Sequence, residues 1–141
     1  MRIMGLDVGE KRIGIALSDP LGWTAQGYSV LERKGNQADM DYLQKVCREN
    51  EVNKIVMGLP LNMDGSAGPK VREIRDFAAR VEKALGLHVE FWDERLTTRE
   101  AERILLEADM SRARRKKVVD KLAAVTILQS YLDRNSGSQS R

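Results

Sequence analysis

Asp7 stands inside the apolar run RIMGLDV, where a carboxylate is out of place. Taking an unpaired one out of water costs several kcal/mol or forces it to hold a proton, so something must offset that cost. Two further acids stand at informative positions. Glu94 follows the strand-like LHVEFW in the stretch WDERLTT, and side-chain alternation puts it on the face of Trp92, although turn geometry equally allows Asp93 to point inward. Asp120 precedes Ala123, Ala124, Ile127, Leu128 and Tyr131 at helical spacing, so it ends the apolar stripe of a helix. Singly, each has an ordinary structural reading: Asp7 paired with Lys11 or Arg12, Glu94 capping a turn, Asp120 bridging Lys116 or Lys117. Together, three carboxylates brought to one place repel one another unless they protonate or meet cations. Hard divalent ions such as Mg²⁺ or Mn²⁺ suit oxygen ligands, and a pair of them about 3.5 to 4 Å apart can activate water and stabilise the leaving oxygen of a phosphodiester. No CxxC pair and no HExxH occurs, so zinc chemistry has no support in the sequence.

Positive charge is concentrated next to the third acid. The stretch SRARRKKVVDK, residues 111–121, holds six basic residues and one acid, a local net charge of +5 against +3 for the whole chain. A one-sign cluster is self-repelling and points to an anionic partner, with nucleic-acid phosphates foremost, so Arg112, Arg114, Arg115, Lys116 and Lys117 are expected to set affinity and salt dependence. Lys11 and Arg12 in the first turn, and Arg95 beside Glu94, are further candidates for phosphate contact. The loop GLPLNMDGSAGPK offers Asn62 and Ser66 as polar contacts, with capping of the next helix the alternative for Ser66.

The elements that must position these residues follow from periodicity. Arg2 to Val8 and Arg12 to Ser18 predict a hairpin across Gly9-Glu10-Lys11, and Gly27 to Arg33 a third strand. Ala38 to Asn50 predicts a helix, NKIVMGLP a buried strand, Pro69 to Leu85 a helix entered through proline, and LHVEFW a fifth strand. Thr97 to Ala108 opens on the capping pattern Thr97-x-x-Glu100, and Ser111 to about Arg134 is the longest helix. Three successive strands followed by alternating helices and strands predict a mixed α/β sheet covered by helices. At 141 residues one domain is expected, here residues 1–134, with 135–141 a disordered polar tail. No apolar stretch is long enough to span a bilayer and no signal peptide is evident, so a cytoplasmic protein without a membrane partner is expected. The single Cys47 reads as a small core residue rather than a nucleophile.

The stretches GLDVGEKRIGIALSD, IVMGLPLNMDGS, DERLTT and DKLAAVTILQSYL together resemble the YqgF family, RuvC-related Holliday junction resolvase-like proteins also described as pre-16S rRNA nucleases. The resemblance runs in order from Arg2 to about Asp133. It implies a ribonuclease H-like fold with a five-stranded mixed sheet and an acidic site on Asp7, Glu94 and Asp120. It also implies processing of the 5′ end of precursor 16S rRNA, with cleavage of branched DNA as an alternative substrate reading. A non-catalytic nucleic-acid-binding factor is the competing class. An ATPase of the actin and sugar-kinase type is disfavoured, because such proteins clamp nucleotide between two domains and this length supplies one. A monomer or a homodimer is compatible with the sequence.

Overall fold

The computed structural model describes the backbone of residues 1–96 and 112–139, and side chains for 1–96 and 121–135. Five strands, β1 (Arg2–Val8), β2 (Arg12–Ser18), β3 (Ala25–Glu32), β4 (Val52–Leu59) and β5 (His88–Asp93), form one sheet in the order β3-β2-β1-β4-β5. The first three pair antiparallel, and β4 and β5 run parallel to β1. The meander uses short turns, whereas each parallel step needs a crossover, supplied by α1 (Asn36–Glu49) and α2 (Pro69–Leu85). Proline opens α2 and Gly86 ends it in the left-handed conformation, φ 69°, with its N–H bonded to the Glu82 carbonyl. The last helix, α3 (Arg112–Gln139), lies on the opposite face.

Alternation along the strands separates two cores. Met4, Leu6, Ile13, Ile15, Ile55 and Met57 face α1 and α2, whose Leu43, Val46, Ile74 and Val81 are buried against them. Ala16 and Val56, on the other face, meet Ala124, Ile127, Leu128 and Tyr131 of α3. That second face contains small residues because the helix comes close. A Cβ at Gly5 would lie 2.7 Å from Leu128 Cβ and 3.3 Å from the Ala124 carbonyl oxygen. The space beside Gly5 is therefore filled by α3, and that beside Gly9 by its own turn, where its N–H donates to Arg12 O at 2.8 Å.

Element boundaries follow the periodicity with local shifts. The first two strands and α2 have the expected limits, β3 starts two residues early because β2 and β3 stay paired out to Ser18↔Ala25, and β5 extends to Asp93 through its pairing with Leu59. Helix α3 continues to Gln139, inside the segment read as a tail, with Asn135 Nδ2 donating to the Tyr131 carbonyl at 2.8 Å. The expected helix from Thr97 to Ala108 lies outside the described residues. Cys47 is buried in the first core and its thiol is pushed up to about 11 by that burial, which suits a packing residue. Among the described residues no helix is long and apolar enough to cross a membrane.

Candidate active site

The carboxyl ends of β1, β4 and β5 lie side by side, and the odd positions of β1 share a face with the even positions of β4 and β5. Asp7 is therefore on the α3 face, two residues beyond Gly5, half-buried and opposite Gly14 of β2. Glu94 opens a single helical turn, Glu94–Leu96, directly after β5. Its side chain folds back over Gly58, the residue paired with Trp92. A Cβ at Gly58 would lie 3.1 Å from both Cγ and Cδ of Glu94 and 2.6 Å from Ile127 Cδ1. Gly58 thus leaves the room that Glu94 occupies.

Glu94 has its carboxyl raised to about 7, first by burial and then by the charges of Asp7 and Asp93, with the Lys70 ammonium pulling the other way. Two carboxylates close enough to act on each other in a partly dry site form an anionic pair that a cation would relieve. Asp93, the alternative inward acid, is committed elsewhere. Arg95 grips it through Nη2 at 2.6 Å and Nε at 3.0 Å, holding its carboxyl below the usual carboxylate range.

Asp120 belongs to α3, one turn before Ala124, and its side chain lies outside the described residues, as do those of Arg112, Arg114, Arg115, Lys116 and Lys117. Tyr131 bonds Lys54, whose strand neighbour is Ile3, while Leu128 and Ala124 lie over Gly5, so going back along α3 leads toward the carboxyl end of β1. Among the described residues no three His, Cys, Asp or Glu side chains form a metal-sized group.

The other sequence candidates are distributed around this end of the sheet. Arg12 pairs with Glu32 at 3.2 Å rather than with Asp7, and Lys11 is exposed in the turn. Arg95, besides holding Asp93, donates from Nη1 to the Met63 carbonyl at 3.3 Å, tying the 61–68 loop to the β5 terminus. Asn62 and Ser66 are exposed within that loop, joined Nδ2 to Oγ at 3.0 Å, and Ser66 donates to Asp64 Oδ1 from both N and Oγ. Ser66 does not cap α2, whose N-cap is Gly68 without a side-chain bond. Sequence reasoning passed over Gly58 and Lys70. A glycine inside the apolar run NKIVMGLP is a signal of close approach, whereas nothing in the sequence marks Lys70.

This architecture matches solved structures of Thermus thermophilus RuvC. One, in complex with Holliday junction substrate, aligns at TM-score 0.56 and 12% identity over 95% of each chain. Another aligns at TM-score 0.58 and 11% identity over 96% of this chain and 97% of that one. The fold is ribonuclease H-like α/β. A family profile described as "RuvX: Holliday junction resolvase" matches residues 1–134, and the chain belongs to that family. A relative from Syntrophomonas wolfei named "Putative pre-16S rRNA nuclease" is 63% identical over 136 residues, 96% of either chain. One of the same name from Pelotomaculum thermopropionicum is 58% identical over 134 residues, 94% of this chain and 87% of its own.

Proposed function

We infer that this chain is a metal-dependent endonuclease that processes the 5′ end of precursor 16S rRNA in the cytoplasm, with Asp7, Glu94 and Asp120 as its catalytic carboxylates. The observation that carries the reading is the placement of Glu94 over Gly58, where burial and the charge of Asp7 raise its carboxyl to about 7. An all-oxygen, anionic and partly desolvated donor set fits Mg²⁺ or Mn²⁺. When bound, such an ion supplies Lewis-acid polarisation of the phosphoryl oxygens.

The chain's own groups do the rest. Asp7 is held by the ladder of a central strand and Glu94 by the Gly58 recess, so neither carboxylate has to reorganise during reaction. Lys70 adds positive charge next to Glu94 for the incoming phosphate. Lys11, Arg12 and the basic residues 112–117 hold flanking phosphates, and Asn62 and Ser66 present polar contacts from a loop that Arg95 secures. Arg95 also lies exposed enough to meet the backbone itself.

The names of the relatives favour precursor rRNA as substrate, and the family description favours branched DNA as the second reading. Both are tested by incubating the protein with precursor 16S rRNA and with a four-way DNA junction, in Mg²⁺ or Mn²⁺ against chelator. Cleavage at the 5′ end of the rRNA is expected, with a loss of about 10²- to 10³-fold for Asp7→Asn while RNA affinity is retained. Asp7→Asn cutting at the parent rate overturns the assignment. Salt-sensitive binding with no cleavage under any divalent ion identifies a non-catalytic factor instead. Scattering distinguishes a monomer from the homodimer that symmetric cutting of a junction requires.

A further inference from the structure

A cleft of about 250 Å³ opens on the α2 side of the same sheet edge, beginning at Val8 and Gly9, the residues directly after Asp7. Because successive strand residues face opposite sides, it lies across the edge from the carboxylates, about one residue of backbone away. Lys70 belongs to both places, lining the cleft and acting on Glu94. We propose that this cleft receives one unpaired nucleotide of the strand being cut, its base stacked on the Arg33 guanidinium and its phosphate between Lys70 and Arg80. This deepens the nuclease reading and rests on it only for the identity of the strand.

Arg33 is built as a platform. Its guanidinium lies 4.9 Å over the Phe77 ring, Nη1 donates to the Gly9 carbonyl at 2.8 Å, and Nε stands 3.7 Å from Asp39 Oδ2, a carboxylate that is itself buried. A planar cation fixed on three sides that keeps a quarter of its side-chain surface exposed and lines the cleft is a surface on which an unpaired base can stack. Arg80 and Lys70 make no ion pair among the described residues, which leaves both to meet a phosphate.

The cleft is not a simple anion trap, because Glu10, Glu73 and Asp76 line it too and balance the three cations. Carboxylates accept hydrogen bonds from ribose hydroxyls and base amino groups but repel bare phosphate. Those three acids form no metal-sized group among the described residues, so a cation site does not explain them. A ligand combining one phosphate with several hydrogen-bond donors does, and a ribonucleotide meets that description better than its deoxy counterpart. The volume falls just below the range of about 300 to 1,000 Å³ typical of sites for drug-sized ligands, which suits a single nucleotide.

The test uses the full chain in chelator, so that it does not depend on cleavage. AMP and dAMP are titrated while the backbone amide shifts of Gly9, Arg33 and Phe77 are followed, and labelled single-stranded RNA is titrated by anisotropy. AMP is expected to shift those three amides saturably and more tightly than dAMP. Arg80→Glu, an exposed substitution on α2, is expected to weaken both AMP and single-stranded RNA about tenfold, with Arg80→Lys restoring most of the affinity. Unmoved amides overturn the proposal, as does RNA affinity unchanged by Arg80→Glu even if AMP binds, since the cleft would then serve free nucleotide. If these binding results hold while the parent protein cuts nothing in Mg²⁺ or Mn²⁺, the nuclease reading fails and the cleft assignment stands.

Discussion

Glu94 is the residue whose chemistry depends most on its surroundings. In the folded chain its carboxyl is raised to about 7 from an ordinary 4.5, by burial first and by the negative charges of Asp7 and Asp93 second. The folded state therefore keeps a proton that the unfolded state gives up, so the contribution of Glu94 to folding stability in chelator is fully present below about pH 4.5 and is lost as pH rises toward about 7. Urea denaturation of the chelated protein at a series of pH values is expected to show that loss, and Glu94→Gln to flatten it. Asp7→Asn, which removes the second cause, is expected to lower the Glu94 value as read by carboxyl-carbon NMR titration. An unchanged value would mean that the two side chains do not interact in solution.

At the scale of elements, the site exists because α3 lies unusually close to β1 and β4. Gly5 and Gly58 permit that approach, and Lys54, Glu90 and Tyr131 pin the far end of the helix, with Lys54 Nζ 2.8 Å from Glu90 Oε2 and the Trp92 and Tyr131 rings packed edge to face at 6.0 Å. Gln129 fixes the helix to the edge of the sheet as well, accepting from Ala25 N at 2.8 Å and donating to the Trp23 carbonyl at 3.1 Å. Gly5→Ala puts a methyl group 2.7 Å from Leu128 Cβ, an atom fixed to the helix backbone, so α3 must shift. A loss of about 1 to 3 kcal/mol is expected by urea denaturation, together with reduced cleavage. Gly58→Ala is expected to cost less stability, since Ile127 Cδ1 and the Glu94 side chain can move, and more activity, since the side chain that moves is Glu94.

For the molecule as a whole, charge distribution governs the encounter with nucleic acid. The net charge of +3 conceals a segment of +5 at residues 111–121, at the start of the helix that carries Asp120. Single-stranded RNA affinity is expected to fall linearly with the logarithm of salt concentration, with each phosphate contact adding about 0.7 to the slope. Arg114→Ala combined with Arg115→Ala is expected to flatten the slope by about 1.4 while leaving cleavage at saturating substrate intact. An unchanged slope would place the contacts elsewhere on the surface.

Local patterning was enough to read the five strands, the three described helices and the mixed class of sheet, because alternation and helical periodicity are imposed by which faces are buried. Asp7 could be singled out for the same reason, as a charge inside an apolar strand. The family resemblance points to Glu94, but side-chain alternation leaves Glu94 and Asp93 both open at the strand end, and the physical ground for separating them is tertiary: the Gly58 recess takes the Glu94 side chain and the Arg95 grip holds Asp93. The use of Gly5 for helix contact, and the cleft behind Val8, were likewise beyond the sequence. Both depend on residues distant in the chain meeting across the sheet, and the pattern of one segment carries no record of what packs against it.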